Sequence, residues 1–358
     1  MYDVKLPVLV CGQGPVAARV GQMLQSHGVP VRYGAKVENT PLAAVVDCTE
    51  GLTPALDNAM KALGRGIPVI TCNALLVGVH GRVLANASLG QQTPCMFGAA
   101  LGAAQPVAAW LPTAGAHTVT LVEPMGANAI LRRMVQRDDD MHKATTALEA
   151  QGDPLSNASG KTTYVQGLAL HGAVAGTWLA PEAAQRTGLE MLTKPLMAHM
   201  RRFGLAPLYT VSVQHGRVQA GVVACNPQSP LMNGQIAPTV VVETAAGTHT
   251  LSHSTLRDDS TAAAMVADVL VCQTPTRLRL PRQGFAAAPH AHTLIVGEYA
   301  QRHRVLEAGG TVLDEHITPH GDWLAVVQSP APLSLANLLA VPVAGGFTPQ
   351  SGSLRLVG

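Results

Sequence analysis

The chain has 358 residues, 47% of them hydrophobic, with a formal net charge of +2. That length suits two domains and a smaller third unit, and near-neutral charge excludes the clustered basic surface that nucleic acid requires. No apolar run is long enough to span a membrane. The six cysteines, Cys11, Cys48, Cys72, Cys95, Cys225 and Cys272, form no Cys-x-x-Cys pair. This spacing predicts reduced thiols in a cytoplasmic protein rather than a disulfide frame or zinc site. The amino terminus lacks the pattern of a signal peptide.

Leu6 to Cys11 reads as a buried strand. Gly12-Gln13-Gly14-Pro15-Val16-Ala17 follows it and opens a helical pattern that runs to about His27. Glycines at this junction let the backbone approach a phosphate, and the helix start offers free N–H groups to it. A small residue in the third place of the Gly-x-Gly-x-x-Ala spacing keeps helix and strand together. A second strand, Pro30 to Tyr33, ends near Arg32 and Lys36 with no acid before Glu38. Cations there suit a ribose 2′-phosphate, so NADP is favoured over NAD. Strands at Ala43–Cys48 and Ile67–Thr71, each preceded by a helix, complete a parallel α/β arrangement. Gly12, Gly14, Pro15, Val16, Arg32, Lys36, Cys48, Thr49, Thr71 and Asn73 are the expected cofactor residues.

Beyond Thr118 the pattern changes. Helices are predicted from Asn128, as cap, through Val135, and around 141–151 and 160–175. Strands follow at Tyr209–Gln214, Val218–Ala224 and Thr239–Thr244, then a helix from Ser260, as cap, to Val271. The tail reads strand, helix, strand, strand, helix, strand over Thr293–Val296, Tyr299–Glu307, Thr311–Glu315, Trp323–Gln328, Leu333–Leu339 and Ser353–Val357, an order that suits a small ferredoxin-like unit. Asp138-Asp139-Asp140 is assigned to a solvated loop between helices, and His290-Ala291-His292 lacks an acidic partner, so no metal site is expected.

Several segments, in order across about 1–272, resemble homoserine dehydrogenases: Gly66-Ile67-Pro68-Val69-Ile70-Thr71-Cys72-Asn73-Ala74 with His80-Gly81, Leu101-Gly102-Ala103-Ala104-Gln105-Pro106, Gly126-Ala127-Asn128-Ala129-Ile130-Leu131, Asp153-Pro154 with Gly160, and Thr261 to Asp268. The resemblance implies a Rossmann nucleotide-binding domain (1–125, completed by helix 260–272), an α+β substrate and dimerisation domain (126–258) and an unmatched α+β unit (285–358). It also implies a homodimer and a small-molecule substrate.

This chain departs from the family where the chemistry should be. The family's lysine after the Thr-x-Asn segment falls on Ala74. Its glutamate falls on Gln151, its aspartate on Thr162 and its second lysine on Gln166. Thr255-Leu256-Arg257-Asp258-Asp259 replaces a Gly-Ala-Gly loop. None of the residues at 74, 151, 162 and 166 acts as a general acid or base near neutral pH. Ala74, Gln151, Asp153, Thr162 and Gln166 therefore outline a pocket expected to take a substrate other than free homoserine. Lys161 and Glu50 are the candidates for a substitute proton shuttle, with Lys194, Tyr164, His80 and the 257–259 loop behind them. Two other readings stay open: a non-catalytic nucleotide- or ligand-binding homologue, and an enzyme of a non-redox step in the same pocket.

Overall fold

The computed structural model describes residues 6–101, 111, 114–150, 161–214, 216–252, 257–273, 291–318, 322–330, 333, 335 and 338–344. The chain begins with β1 (Val8–Cys11), α1 (Pro15–Ser26), β2 (Val31–Tyr33), β3 (Ala44–Asp47), α2 (Thr53–Leu63), β4 (Val69–Thr71), α3 (Ala74–Gly90) and β5 (Cys95–Met96). These strands form a parallel sheet in the order β2-β1-β3-β4-β5. β1, β3 and β4 are buried along their whole length, as continuous aliphatic runs should be when helices cover both faces. The register sets Val10 beside Val46, and Val46 beside Ile70, so successive crossovers return each strand in phase.

A second, mixed sheet begins with β6 (Ala116–Val122). It is followed by α4 (Ala127–Arg137), α5 (Met141–Glu149), α6 (Lys161–Ala175), β7 (Gln185–Arg186), α7 (Lys194–Arg202), β8 (Ala206–Gln214), β9 (Arg217–Cys225), β10 (Thr239–Thr244) and β11 (Gly247–Ser252). Next come α8 (Arg257–Gln273), β12 (Ala291–Glu298), α9 (Arg302–Glu307), β13 (Thr311–Ile317), β14 (Asp322–Ser329) and β15 (Leu339–Ala344). The sheet order is β11-β10-β6-β8-β9-β15-β12-β14-β13, with β7 also on β9. α6 covers one face, where Leu168, Ala169 and Val174 pack with Val119, Leu121, Val211, Val213 and Val240. α8 turns back to the first sheet, and Ala262, Met265, Val266 and Val269 pack against Val8, Val10, Val20 and Leu24.

The last four strands pair antiparallel in the order β15-β12-β14-β13, the arrangement of a ferredoxin-like unit. Their sheet is continuous with the preceding one, because Val343 and Ala344 of β15 run parallel to Ala224 and Cys225 of β9. The strand expected at Ser353–Val357 lies outside the described residues, as do residues 334, 336 and 337 of the helix expected at Leu333–Leu339; Leu333, Leu335 and Leu338 are not helical, and Leu339 opens β15.

Two helix starts differ from the sequence expectation. Asn128 does not cap α4; Gly126 does, in a conformation with φ 60°. Asn128 is instead buried, donates from Nδ2 to the backbone oxygens of Glu123 and Tyr209, and accepts from the Tyr209 N–H. Its amide does the work of a β-bridge across the helix start, which a cap reading of the sequence does not anticipate. Ser260 lies inside α8, which already starts at Arg257. The polar Arg-Asp-Asp-Ser segment forms its first turn, where acids complement the helix dipole.

Candidate functional site

The junction of β1 and α1 is shaped for close approach. A Cβ on Gly12, at φ +113°, would meet the backbone oxygen of Cys48 at 2.6 Å, so only glycine fits between β1 and β3. Gly14 has φ +116°, with open space where its Cβ would stand. Pro15 occupies the first turn of α1, and no side chain caps the helix. The free N–H groups of that turn therefore face an open, glycine-floored cradle, which fits a dinucleotide's pyrophosphate.

Beyond β2, a pocket of about 260 Å³ is lined by Arg32, Tyr33, Gly34, Lys36, Glu38 and Thr40, among others. Arg32 and Lys36 are exposed there. Arg32 donates to Glu38 at 2.7 Å and to the Thr40 hydroxyl at 3.2 Å. Arg65 donates to the backbone oxygens of Glu38 and Thr40 and so fixes the pocket's far wall. Both cations predicted at the end of the second strand thus reach one cavity, with a carboxylate beside them.

The carboxyl ends of β3 and β4 form a buried polar knot around Asp47, a residue the sequence reading passed over. Asp47 is 1% exposed. It accepts from the Thr49 N–H (3.1 Å) and hydroxyl (2.6 Å) and from the Thr71 hydroxyl (2.7 Å). Burial pushes its carboxyl above the usual range, and the bonds from Thr49 and Thr71 pull back against that shift. The only signal in the sequence was an acid closing an apolar strand. Thr71 also accepts from the Asn73 N–H, and Asn73 caps α3 through Leu76 N while donating to Gly51 O. The Thr49, Thr71 and Asn73 side chains are thus already engaged in shaping the strand ends.

The Cys11 and Cys48 thiols nearby are not nucleophiles. Burial raises the Cys11 thiol to about 12. A hydrogen bond from Cys72, followed by burial, raises that of Cys48 further. A thiol so raised stays protonated at neutral pH.

The candidates for proton transfer are dispersed. Glu50 is exposed. Lys161 and Thr162 open α6, but their side chains, together with Gln151 and Asp153, lie outside the described residues. Lys194 pairs with Asp138 at 3.2 Å, and the Tyr164 hydroxyl donates to Pro181 O. The loop from Asp138 to Asp140 is less solvated than expected at its centre. Asp139 is 3% exposed and is held by Arg133 and Lys143. Asp140 caps α5. No group of acids, histidines and cysteines among the described residues is arranged to hold a metal ion, and no described helix is long and apolar enough to cross a membrane.

The helix that begins at Ala74 and the helix that carries Gln166 pack closely. These two helices, α3 and α6, cross at Gly78, where a Cβ would collide with Val165, the neighbour of Gln166. Gln166 is 2% exposed and donates from Nε2 to the Glu123 carboxylate at 3.3 Å. Glu123, 3% exposed at the end of β6, was also missed from sequence. It lies far from Gln166 along the chain, and no spacing pattern links the two.

These elements define a parallel sheet with a glycine-floored β1–α1 junction, joined through the packed helices α3 and α6 to a second sheet that carries the buried Glu123–Gln166 pair. No protein-family model and no curated protein matches the sequence. Solved structures do match. A homoserine dehydrogenase from Thiobacillus denitrificans superposes with a TM-score of 0.73 at 15% identity, covering 94% of this chain and 98% of that one. The S. aureus homoserine dehydrogenase gives 0.74 at 14%, covering 96% and 100%. A hyperthermophilic archaeal homoserine dehydrogenase in complex with NADPH gives 0.63 at 15%, covering 75% and 98%. The chain has a homoserine dehydrogenase-like fold.

Proposed function

We propose that this chain is an NADP-dependent oxidoreductase acting on a substrate other than free homoserine. The observation that carries this reading is the pocket after β2, where Arg32 and Lys36 share one cavity with the Thr40 hydroxyl. A 2′-phosphate would gain two cations and a hydroxyl donor there. The cradle at Gly12, Gly14, Pro15 and Val16 would hold the pyrophosphate, and the strand ends at Cys48, Thr49, Thr71 and Asn73 would face the nicotinamide half. The bound nucleotide would supply a hydride acceptor. The residues around it would bind, orient and exclude water.

The change of substrate follows from the departures. Ala74 and Gln166 offer neither proton nor cation, and Gln166 is held by a carboxylate instead. The substrate pocket is assigned to these two with Gln151, Asp153 and Thr162, between domains 1–125 and 126–258. Lys161 remains the candidate shuttle, with Glu50 second. The scattered cysteines suit a cytoplasmic protein. The exposed β11 edge of the second sheet suits pairing with a second copy.

The test is a screen of small hydroxyl compounds with NADP, reading reduced nicotinamide by absorbance. Reduction by at least one of them is the expected outcome. Binding of the nucleotide with no reduction by any would favour the second reading, a binding protein or a non-redox enzyme, to which the missing lysines also point.

A further inference from the structure

The Glu123–Gln166 pair has a chemical polarity of its own. A carboxylate can only accept hydrogen bonds, so the Gln166 amide must turn its NH2 toward Glu123, as it does at 3.3 Å. The amide oxygen is thereby aimed the other way. Among the described residues no donor reaches Gln166 Oε1, although the side chain is 2% exposed. Flipping the amide would set oxygen against oxygen, so the unmet acceptor is a consequence of the neighbour and not of an arbitrary assignment. A buried acceptor without a donor is unfavourable, and native interiors rarely leave one unfilled.

The position gives that acceptor a use. Val165 packs on Gly78, one helical turn into α3 from Ala74, and Ala74 follows the Asn73 cap that ties α3 to the β3 and β4 ends. One turn is about 5.4 Å of rise. The pair therefore stands just behind the strand ends that the proposed nucleotide site uses. Asn128 holds the backbone of Glu123 to that of Tyr209, which fixes the root of the Glu123 side chain.

We infer that Gln166, oriented by Glu123, is a substrate-recognition residue whose amide oxygen accepts a hydrogen bond from a hydroxyl or amino group of the substrate. The amide oxygen can only accept, so the substrate's inner end is a hydrogen-bond donor rather than a carboxylate or phosphate. This rests on the proposed function for the location of the cleft, but its chemistry comes from the pair alone.

The test uses the full chain with 1,4-butanediol and 4-amino-1-butanol as donor probes and succinate as the anionic control. Binding is followed by ligand-observed NMR with and without NADPH, and NADPH affinity is titrated separately. The donor probes should bind about tenfold or more tightly than succinate. Gln166→Met, which keeps the volume and removes a buried polar group, should lose about tenfold in donor affinity while holding NADPH as before. Glu123→Gln, which frees the amide to turn, should narrow the discrimination against succinate. Donor probes that fail to bind, that bind no better than succinate, or that bind Gln166→Met as well as the wild type would overturn the inference. Failure of NADPH to bind would count against the proposed function and not against this pair, because the probe measurements are also made without nucleotide.

Discussion

The Thr71 hydroxyl donates to the Asp47 carboxylate at 2.7 Å, across the ends of two adjacent parallel strands. Both residues are essentially buried, so the bond holds β3 and β4 in register where the proposed nucleotide site begins. Asp47→Ala would leave the Thr49 and Thr71 hydroxyls without their acceptor. A loss of roughly 1.5–3 kcal/mol is expected in denaturant melts, the range for hydrogen bonds to a charged group. Thr71→Val should cost about half as much. An Asp47→Ala protein as stable as the wild type would show that the knot contributes nothing.

Arg32 sets the nucleotide preference in this account, and Glu38 opposes it. Arg32→Asp should narrow or reverse a preference for NADPH over NADH in fluorescence titrations. Glu38→Gln releases Arg32 from its 2.7 Å partner. It should therefore sharpen the same preference by several-fold. Exposed charges are screened, so both effects should shrink as salt rises.

Asp268 gives a pH signature. It lies on α8, accepts from the Gly98 backbone and is raised by burial to about 6. An acid whose folded pKa exceeds its unfolded value binds its proton more tightly in the native state. Its destabilising effect is absent below the unfolded value near 3.8, grows as pH rises toward 6 and is complete above that. Asp268→Asn should therefore be more stable than the wild type at neutral pH, by roughly 1–3 kcal/mol. The two should converge near pH 4 in urea melts. A constant difference at both pH values would contradict the assignment.

Homoserine itself should be a poor substrate. General acid–base help contributes roughly 10²–10⁴-fold, and neither Ala74 nor Gln166 can give it. NADP reduction by homoserine should fall short of a typical dehydrogenase by about that factor. Appreciable turnover at neutral pH would mean that another group, with Lys161 first to be tested as Lys161→Ala, supplies the proton transfer.

The parallel-sheet half of this fold was legible because β1, β3 and β4 are continuous aliphatic runs and Gly12-x-Gly14 follows the first of them at a helix start. The second half was less so. β11 reads Gly-Thr-His-Thr-Leu-Ser and is almost wholly exposed, so it carries no burial pattern to detect. β6 alternates Thr with aliphatic residues; α6 packs on Val119 and Leu121, and the segment around Leu231 and Gly234 packs on Val122, so both its faces are buried for reasons that lie elsewhere in the chain. α7 is short, and its Thr193 cap with Pro195 in the first turn is a start signal the pattern reading did not use. The site divided in the same way. Arg32 and Lys36 follow from distance along one strand, whereas Asp47–Thr71 and Glu123–Gln166 exist only through tertiary pairing.

The most direct test of the central claim is a thermal melt of the purified chain with NADPH, with NADH and with neither. A ligand that binds only the folded state raises the melting temperature by mass action. This account predicts a clear rise with NADPH and a smaller one with NADH at equal concentration. A melting temperature unchanged by either nucleotide would contradict it.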